Sequence, residues 1–327
     1  MGKVNKVLLI ILISLITLFL LCVLGLRLYF RMPVRSFYKV SNKEFVIPET
    51  HKGFVAQGLT YSENDKNFYM TGYMKDNSAS PIYIINKDSK KLIKKVLISN
   101  PDGSAFTGHC GGFTIYHNKI YLAGGEDCCL YVIDKNNIDK AENASFIAYE
   151  DIISLKTEND YISVAFVNTY DDLLIAGEFY REPQYPTLQR HEITCADGKN
   201  KAFALAFKLD GNKAIPEKVY SIPGNVQGME ITQDKIYLST SWGTSISHIY
   251  IYDSSKVKSN SNYNVLGTEI PLYILDSTNL ANDIKTPPMS EEIVLIDGKL
   301  YQANESASNK YVFGKFTGGK YLYSSSF

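Results

Sequence analysis

Charge of one sign is the first thing this sequence lacks. Lys and Arg total 34, Asp and Glu total 34, and the formal net charge over 327 residues is zero. No basic run longer than two residues stands beyond the first 35 residues, which argues against the phosphate neutralisation that nucleic-acid binding requires. Tryptophan is nearly absent, with Trp242 alone, and cysteine numbers five. No Cys-x-x-Cys spacing occurs, which removes the commonest zinc frame. A nucleophile elbow, a Walker loop, a zincin helix and a dinucleotide fingerprint are missing as well. The glycine pairs at 124–125 and 318–319 read as turns, not phosphate cradles. No proline-rich linker or break in composition divides the long region that follows residue 52.

What is present begins with an apolar run. Lys3 and Lys6 precede residues 7–26, in which Ser14 and Thr17 are the polar members. Twenty residues at about 1.5 Å each span a hydrocarbon core of roughly 30 Å. The run ends Gly25-Leu26-Arg27 without a small-residue cleavage pattern, and Leu20-Leu21 before Cys22 is not a lipoprotein box. The expectation is a retained, single-pass anchor in the cell membrane. It divides the chain into a cytoplasmic tail (1–6), a transmembrane span (7–26) contacting the lipid bilayer, a stalk (27–52) and a domain (53–327). Arg27, Arg31 and Arg35 follow the span, so basic residues alone do not orient it. A large β-rich domain behind one anchor, together with the cysteines, places that domain outside the cytoplasm.

The domain is built on a repeat. Asn225-Val226-Gln227-Gly228-Met229-Glu230-Ile231-Thr232 reads as a strand, Gln233-Asp234-Lys235 as a turn, and the stretch to Gly243 as a second strand. The same rhythm recurs from Gly58, Gly112, Val164 and Glu292. Strand candidates fall in quartets: 58–61, 68–72, 82–85 and 92–98; 112–116, 120–124, 130–133 and 146–149; 163–167, 173–177, 202–209 and 217–222; 228–232, 236–241, 248–252 and 270–275; 292–296, 299–304, 311–316 and 320–324. Four-stranded units filling a domain mark an all-β fold, a five-bladed β-propeller behind one N-terminal transmembrane helix. A sixth blade stays open, from 37–40 and 44–47, although the latter stretch fits better as the strand that completes the last blade and closes the ring. Residues 178–201 and 254–264 are insertions.

In such a fold the loops leading into each first strand, and those joining strands two and three, open on one face. They collect Gln57, His109, Arg181, Gln227, Trp242, Glu291, Glu292 and Glu305, with Glu230 deeper in its strand. Glu291, Glu292 and His109 are the candidates for catalytic work. Each has a structural reading beside it: amides that bond between blades, a ring packed under its loop, a carboxylate capping backbone N–H groups. Adjacent in a strand, Glu291 and Glu292 are expected to face opposite ways. A carboxylate near the axis could bind a cation such as Ca²⁺ or hold an amine. Cys110, Cys128, Cys129 and Cys195 are disulfide candidates, with the pairing open.

Phe54-Val55-Ala56-Gln57-Gly58-Leu59-Thr60-Tyr61 followed by Phe68-Tyr69-Met70-Thr71-Gly72 resembles the glutamine cyclotransferase family, the plant- and bacterial-type glutaminyl cyclases. Val226-Gln227-Gly228-Met229-Glu230 and Ser290-Glu291-Glu292-Ile293 are similar to later blade starts of that family. The resemblance implies a five-bladed propeller. Where the family carries a Glu in a Tyr-Glu-Ser-Thr-Gly context, this chain has Tyr69. Cyclisation shuttles a proton between amine and leaving amide, so Glu291, Glu292 or Glu230 would have to replace that carboxylate. The leading expectation is a propeller that binds a small molecule, a peptide end or a glycan at its loop-rich face. A cyclotransferase-like or metal-assisted enzyme and a cell-envelope scaffold are the alternatives.

Overall fold

The structure, a computed structural model, describes residues 3–259 and 261–327. Helix α1, Lys3–Arg31, is followed by α2, Arg35–Val40, and by β1, Ser41–Val46. The first antiparallel unit is β2, Phe54–Ser62, β3, Asn67–Met74, β4, Pro81–Asn86, and β5, Leu92–Ser99. The second takes β6, Phe113–Tyr116, β7, Lys119–Ala123, and β8, Cys129–Asp134. A short helix α3, Lys135–Lys140, and strand β9, Phe146–Ala148, precede its fourth strand, β10, Asp151–Ser154. In the third, β11, Phe166–Tyr170, and β12, Leu173–Gly177, are separated by a hairpin (β13, Ile193–Cys195; β14, Gly198–Asn200) from β15, Ala202–Asp210, and β16, Lys213–Ile222. The fourth holds β17, Val226–Ile231, β18, Lys235–Thr240, and β19, Ser247–Asp253. After the hairpin of β20, Ser261–Val265, and β21, Thr268–Ile274, it ends on β22, Leu280–Thr286. The last has β23, Ser290–Ile296, β24, Lys299–Asn304, and β25, Tyr321–Ser325. Its outer strand is β1, with Ser41 opposite Ser325 and Val46 opposite Tyr321.

The first strands form a ring: β2 packs on β6, β6 on β11, β11 on β17, β17 on β23, and β23 on β2. The architecture is all-β and propeller-like. Strand β2 is buried along nearly its whole length because both of its faces meet neighbours. Glycine makes the closeness of the ring workable. A Cβ on Gly112 would stand 2.8 Å from the Phe166 Cα of β11, and one on Gly228 would stand 2.9 Å from the Glu292 Cα of β23. At the top of the strands β2, β17 and β23 carry register shifts, at Ala56/Leu59, Val226/Gly228 and Ser290/Ile293. Those are β-bulges, and they re-aim the side chains of Gln57, Gln227 and Glu291. At the other end, Asp297-Gly298, His117-Asn118 and Asp171-Asp172 each pair two left-handed residues, the geometry of tight hairpins that match strand twist.

Several expectations need correction. The fourth strand of the second unit is 151–154, not 146–149; Phe146–Ala148 instead adds in parallel to β5. The fourth strand of the fourth unit is 280–286, because 268–274 runs parallel to β16 of its neighbour. Residues 311–316 are not a strand but a loop ending in a 3-10 turn, Phe313–Phe316. Residues 37–40 are helical, and β1 takes the closing place. The stretch expected as a stalk lies largely against the domain: Phe37 is buried beside Tyr323, and Tyr38 donates to Thr317 O (2.6 Å). α1 is long and apolar enough to cross a membrane over Lys6–Arg31, and its most apolar 18-residue stretch has mean hydropathy 3.4.

Candidate functional site

Two polar clusters lie at the loop-rich end of the ring, the first partly open to solvent and the second buried. The first is built on the bulges of β2 and β23. Gln57 Nε2 donates to Glu305 Oε2 (3.0 Å) and to Ala56 O (2.9 Å). Its Oε1 must therefore accept, and His109 Nε2, 2.6 Å away, must donate. That fixes the tautomer and leaves Nδ1 as the free lone pair. Tyr311 also donates to Glu305 Oε2 (2.7 Å). Tyr73 lies against the His109 ring at 4.6 Å between centroids, and the Lys310 ammonium sits over the Tyr73 ring at 4.6 Å.

Glu291 completes this group and is the anomaly in it. Its side chain is buried, 1% exposed, and neither carboxyl oxygen has a hydrogen-bond partner. Burial pushes its pKa well above the ordinary carboxylate range, and the charges of Glu305 and Glu292 add to that. Burial likewise raises Glu305 to about 7, against the pull of Tyr311, Lys310 and Gln57. Two carboxyls this close share charge, so the pair titrates as a unit. Desolvation by the surrounding loop, then the Lys310 charge, press His109 downward, toward the neutral ring. His109 itself is exposed to solvent at the edge of the cluster.

The other acidic residues of the ring are engaged with backbone. Glu292 Oε2 accepts the N–H groups of Leu59 (2.8 Å) and Phe113 (3.1 Å), tying β23 to β2 and β6 across the axis. Glu292 Oε1 has no partner, and burial raises the carboxyl well above its usual range. Glu230 accepts the Leu295 N–H (3.0 Å), and burial raises it to about 7. The adjacent pair 291 and 292 does not simply alternate, since the bulge buries both side chains. Gln227 reaches Ser241 Oγ at 3.3 Å. Arg181 stacks on Trp242 (4.3 Å to the ring centroid), with Phe179 and Tyr185 also against the indole. Trp242 is thus part of an aromatic box at the loops of the third and fourth units. Tyr69 donates to Asp65 (2.6 Å), toward the hairpin end of β3 and away from Glu291.

The second cluster centres on His191. Nδ1 contacts Glu178 Oε2 (2.9 Å) and Nε2 contacts Asp160 Oδ1 (3.1 Å). All three side chains are buried, and the ring stacks on Phe203 at 4.4 Å. Burial alone would lower the imidazole; the two carboxylates outweigh it and raise it to about 9. Asp160 also accepts the Leu266 N–H (2.8 Å), and Glu178 the Phe203 N–H (2.9 Å). Asp160 and Glu178 were not foreseen, and neither were Tyr311 and Lys310. Position was the available signal for Glu178: it follows β12 as Glu305 follows β24, at the end of a second strand.

Cys110, Cys128, Cys129 and Cys195 are all free, which corrects the disulfide expectation. Cys110 is buried in the core beside Phe106 and Phe113, and Cys195 sits in the β13–β14 hairpin. Cys128 and Cys129 are chain neighbours at the start of β8 and face their own surroundings. No group of three or more metal-ligating side chains is found among the described residues. A cleft of about 510 Å³ lies at the hairpin end, lined by Tyr116, Tyr121 and Leu209 among others. Its titratable pair, His117 and Asp172, is 67% and 73% exposed, so it offers no desolvated chemistry.

No protein-family model matches the chain, and no curated protein does. Among solved structures, it is similar to a luciferin-regenerating enzyme, at 13% identity over 88% of this chain and 95% of that one (TM-score 0.44). It is also similar to the glutaminyl cyclase of Myxococcus xanthus, at 11% identity over 88% and 94% (TM-score 0.43). The hydrazine synthase of Kuenenia stuttgartiensis follows at 11% identity over 83% and 86% (TM-score 0.39). Similarity of this degree transfers neither residues nor chemistry.

Proposed function

We propose that this chain is a five-bladed β-propeller anchored by α1, with the propeller outside the cytoplasm, and that its loop-rich face binds a protonated amine between Glu291 and Glu305. The ligand class is a peptide N-terminus or an amine-bearing small molecule. One observation carries the reading: a buried Glu291 with both oxygens unpartnered among the described residues, next to the half-buried carboxyl of Glu305. A buried unpaired acid is costly, and a cation entering beside it supplies the missing donors and lets both acids ionise. Gln57, Tyr311 and His109 hold Glu305 in place, and the Arg181–Trp242 box offers a flat wall farther round the face. Glu292 and Glu230 act in this reading as struts of the ring.

The test is calorimetry on the full chain in nanodiscs, comparing a short peptide with free and with acetylated N-terminus. Only the free amine should bind, with protons released and with affinity rising as pH climbs through about 7, until the amine itself deprotonates. Equal binding of the acetylated peptide, or unchanged binding in Glu291→Gln, overturns the assignment.

A second reading is favoured by the upward shift of Glu305, which suits a general acid or base near neutral pH. It makes the site a cyclotransferase-like enzyme. Ammonia release from a peptide with N-terminal Gln tests it, and no turnover by the parent protein ends it.

A further inference from the structure

The last turn of α1 does not leave the domain freely. Phe30 is buried, Arg31 Nε donates to Phe316 O (3.0 Å), and the helix packs on the turn Phe313–Phe316. That turn belongs to the loop 305–320, which also carries Glu305, Lys310 and Tyr311. Val312 and Phe313 stand next to each other on its outside, 73% and 55% exposed. Lys310, Lys315 and Lys320 are exposed along the same loop.

An exposed apolar pair among lysines suits a surface that is apolar within and anionic at its boundary. Its position argues for the same occupant. The apolar run of α1 ends at Leu26, five residues before Arg31, which is about 7.5 Å of helix. The turn packed against that helix end therefore sits near the hydrocarbon boundary, if α1 spans.

We propose that the loop 305–320 is a second membrane contact. Val312 and Phe313 enter the headgroup region, the three lysines face anionic lipid, and the loop-rich face is turned toward the bilayer. This rests on the anchoring of α1 proposed above.

The experiment uses the full wild-type chain in phosphatidylcholine vesicles, with and without phosphatidylglycerol, doped with a diazirine-bearing phospholipid. After illumination, labelled peptides are mapped by mass spectrometry. Label is expected in α1 and in the peptide holding Val312 and Phe313, stronger with phosphatidylglycerol, and not around the hairpin residue Lys299. In Val312→Ser/Phe313→Ser the loop label should fall several-fold while α1 keeps its own. Label in α1 without label in the loop overturns the second contact and leaves the anchor standing. Label in neither overturns both. A wild-type loop label that the double serine variant retains in full overturns the insertion of these two side chains.

Discussion

The molecule holds two buried acid clusters that differ in one respect. Around His191, a cation lies between two carboxylates, and backbone N–H groups of Leu266 and Phe203 add further donors; Glu178 Oε1 alone is left unpartnered there. Around Glu291, a carboxyl has lost its water and gained no partner at all. Burial therefore says little about role by itself. A paired buried charge is explained by the fold, because it staples the inserted hairpin segment to the third unit. An unpaired one is not explained by the fold, which is why the proposed amine is placed beside it.

The sharpest way to break that contrast is to remove one partner from each cluster. Glu178→Gln should destabilise by about 3–5 kcal/mol, since it leaves a buried imidazolium half-paired. Glu291→Gln should change stability by less than about 1 kcal/mol, because the amide replaces a carboxyl of nearly the same shape whose oxygens have no hydrogen bond to lose. Denaturant unfolding in detergent measures both, and equal losses would erase the distinction.

The next test probes the ring that holds both clusters. Gly112→Ala drives a Cβ to 2.8 Å from the Phe166 backbone, and should cost about 1–3 kcal/mol by the same measurement.

Protonation separates the clusters by pH. His191 and Glu305 both have folded pKa values above their unfolded ones, so each contributes stability that is fully present below the unfolded value and is lost as pH rises through the folded value. For Glu305 that loss runs from about 4.5 to about 7, and for His191 from about 6.5 to about 9. Unfolding followed across pH should show two descending steps. Glu305→Gln should shrink the lower step, to which Glu230, Glu291 and Glu292 also contribute, and His191→Gln should remove the upper. A single step abolished by either variant would mean that the clusters are not independent.

The smallest expected effect is at the aromatic box. Trp242→Phe weakens the stacking of Arg181 and should cost about 0.5–1 kcal/mol, read from the thermal midpoint.

The strands that could be read in advance were those with local reasons to exist. Strands one and two of each unit alternate around a tight turn, and the small residues at Gly58, Gly112 and Gly228 mark where the ring closes up. The outer strands carried weaker signals. Leu280–Thr286 is mostly exposed and polar, whereas Thr268–Ile274 is more apolar because it packs beside β16. Apolar content pointed to the wrong segment for that reason. The stretch 311–316 misled similarly: Val312 and Phe313 are apolar, yet they face outward. Of the site, Gln57, His109, Glu291 and Glu305 were gathered on one face by the repeat alone. The bulge that buries both Glu291 and Glu292 is a matter of register with β24, and sequence spacing does not reveal it.

The strand that completes the last unit, β1, follows α1 and α2 in the chain, while its partner β25 comes after all the other strands. A ribosome makes β1 before every other strand among the described residues and β25 after them. During the interval β1 has no mate and an open row of amides, tethered a few residues from wherever α1 has gone. The circle can therefore be fastened only after β25 has emerged, and only at the place where β1 is waiting.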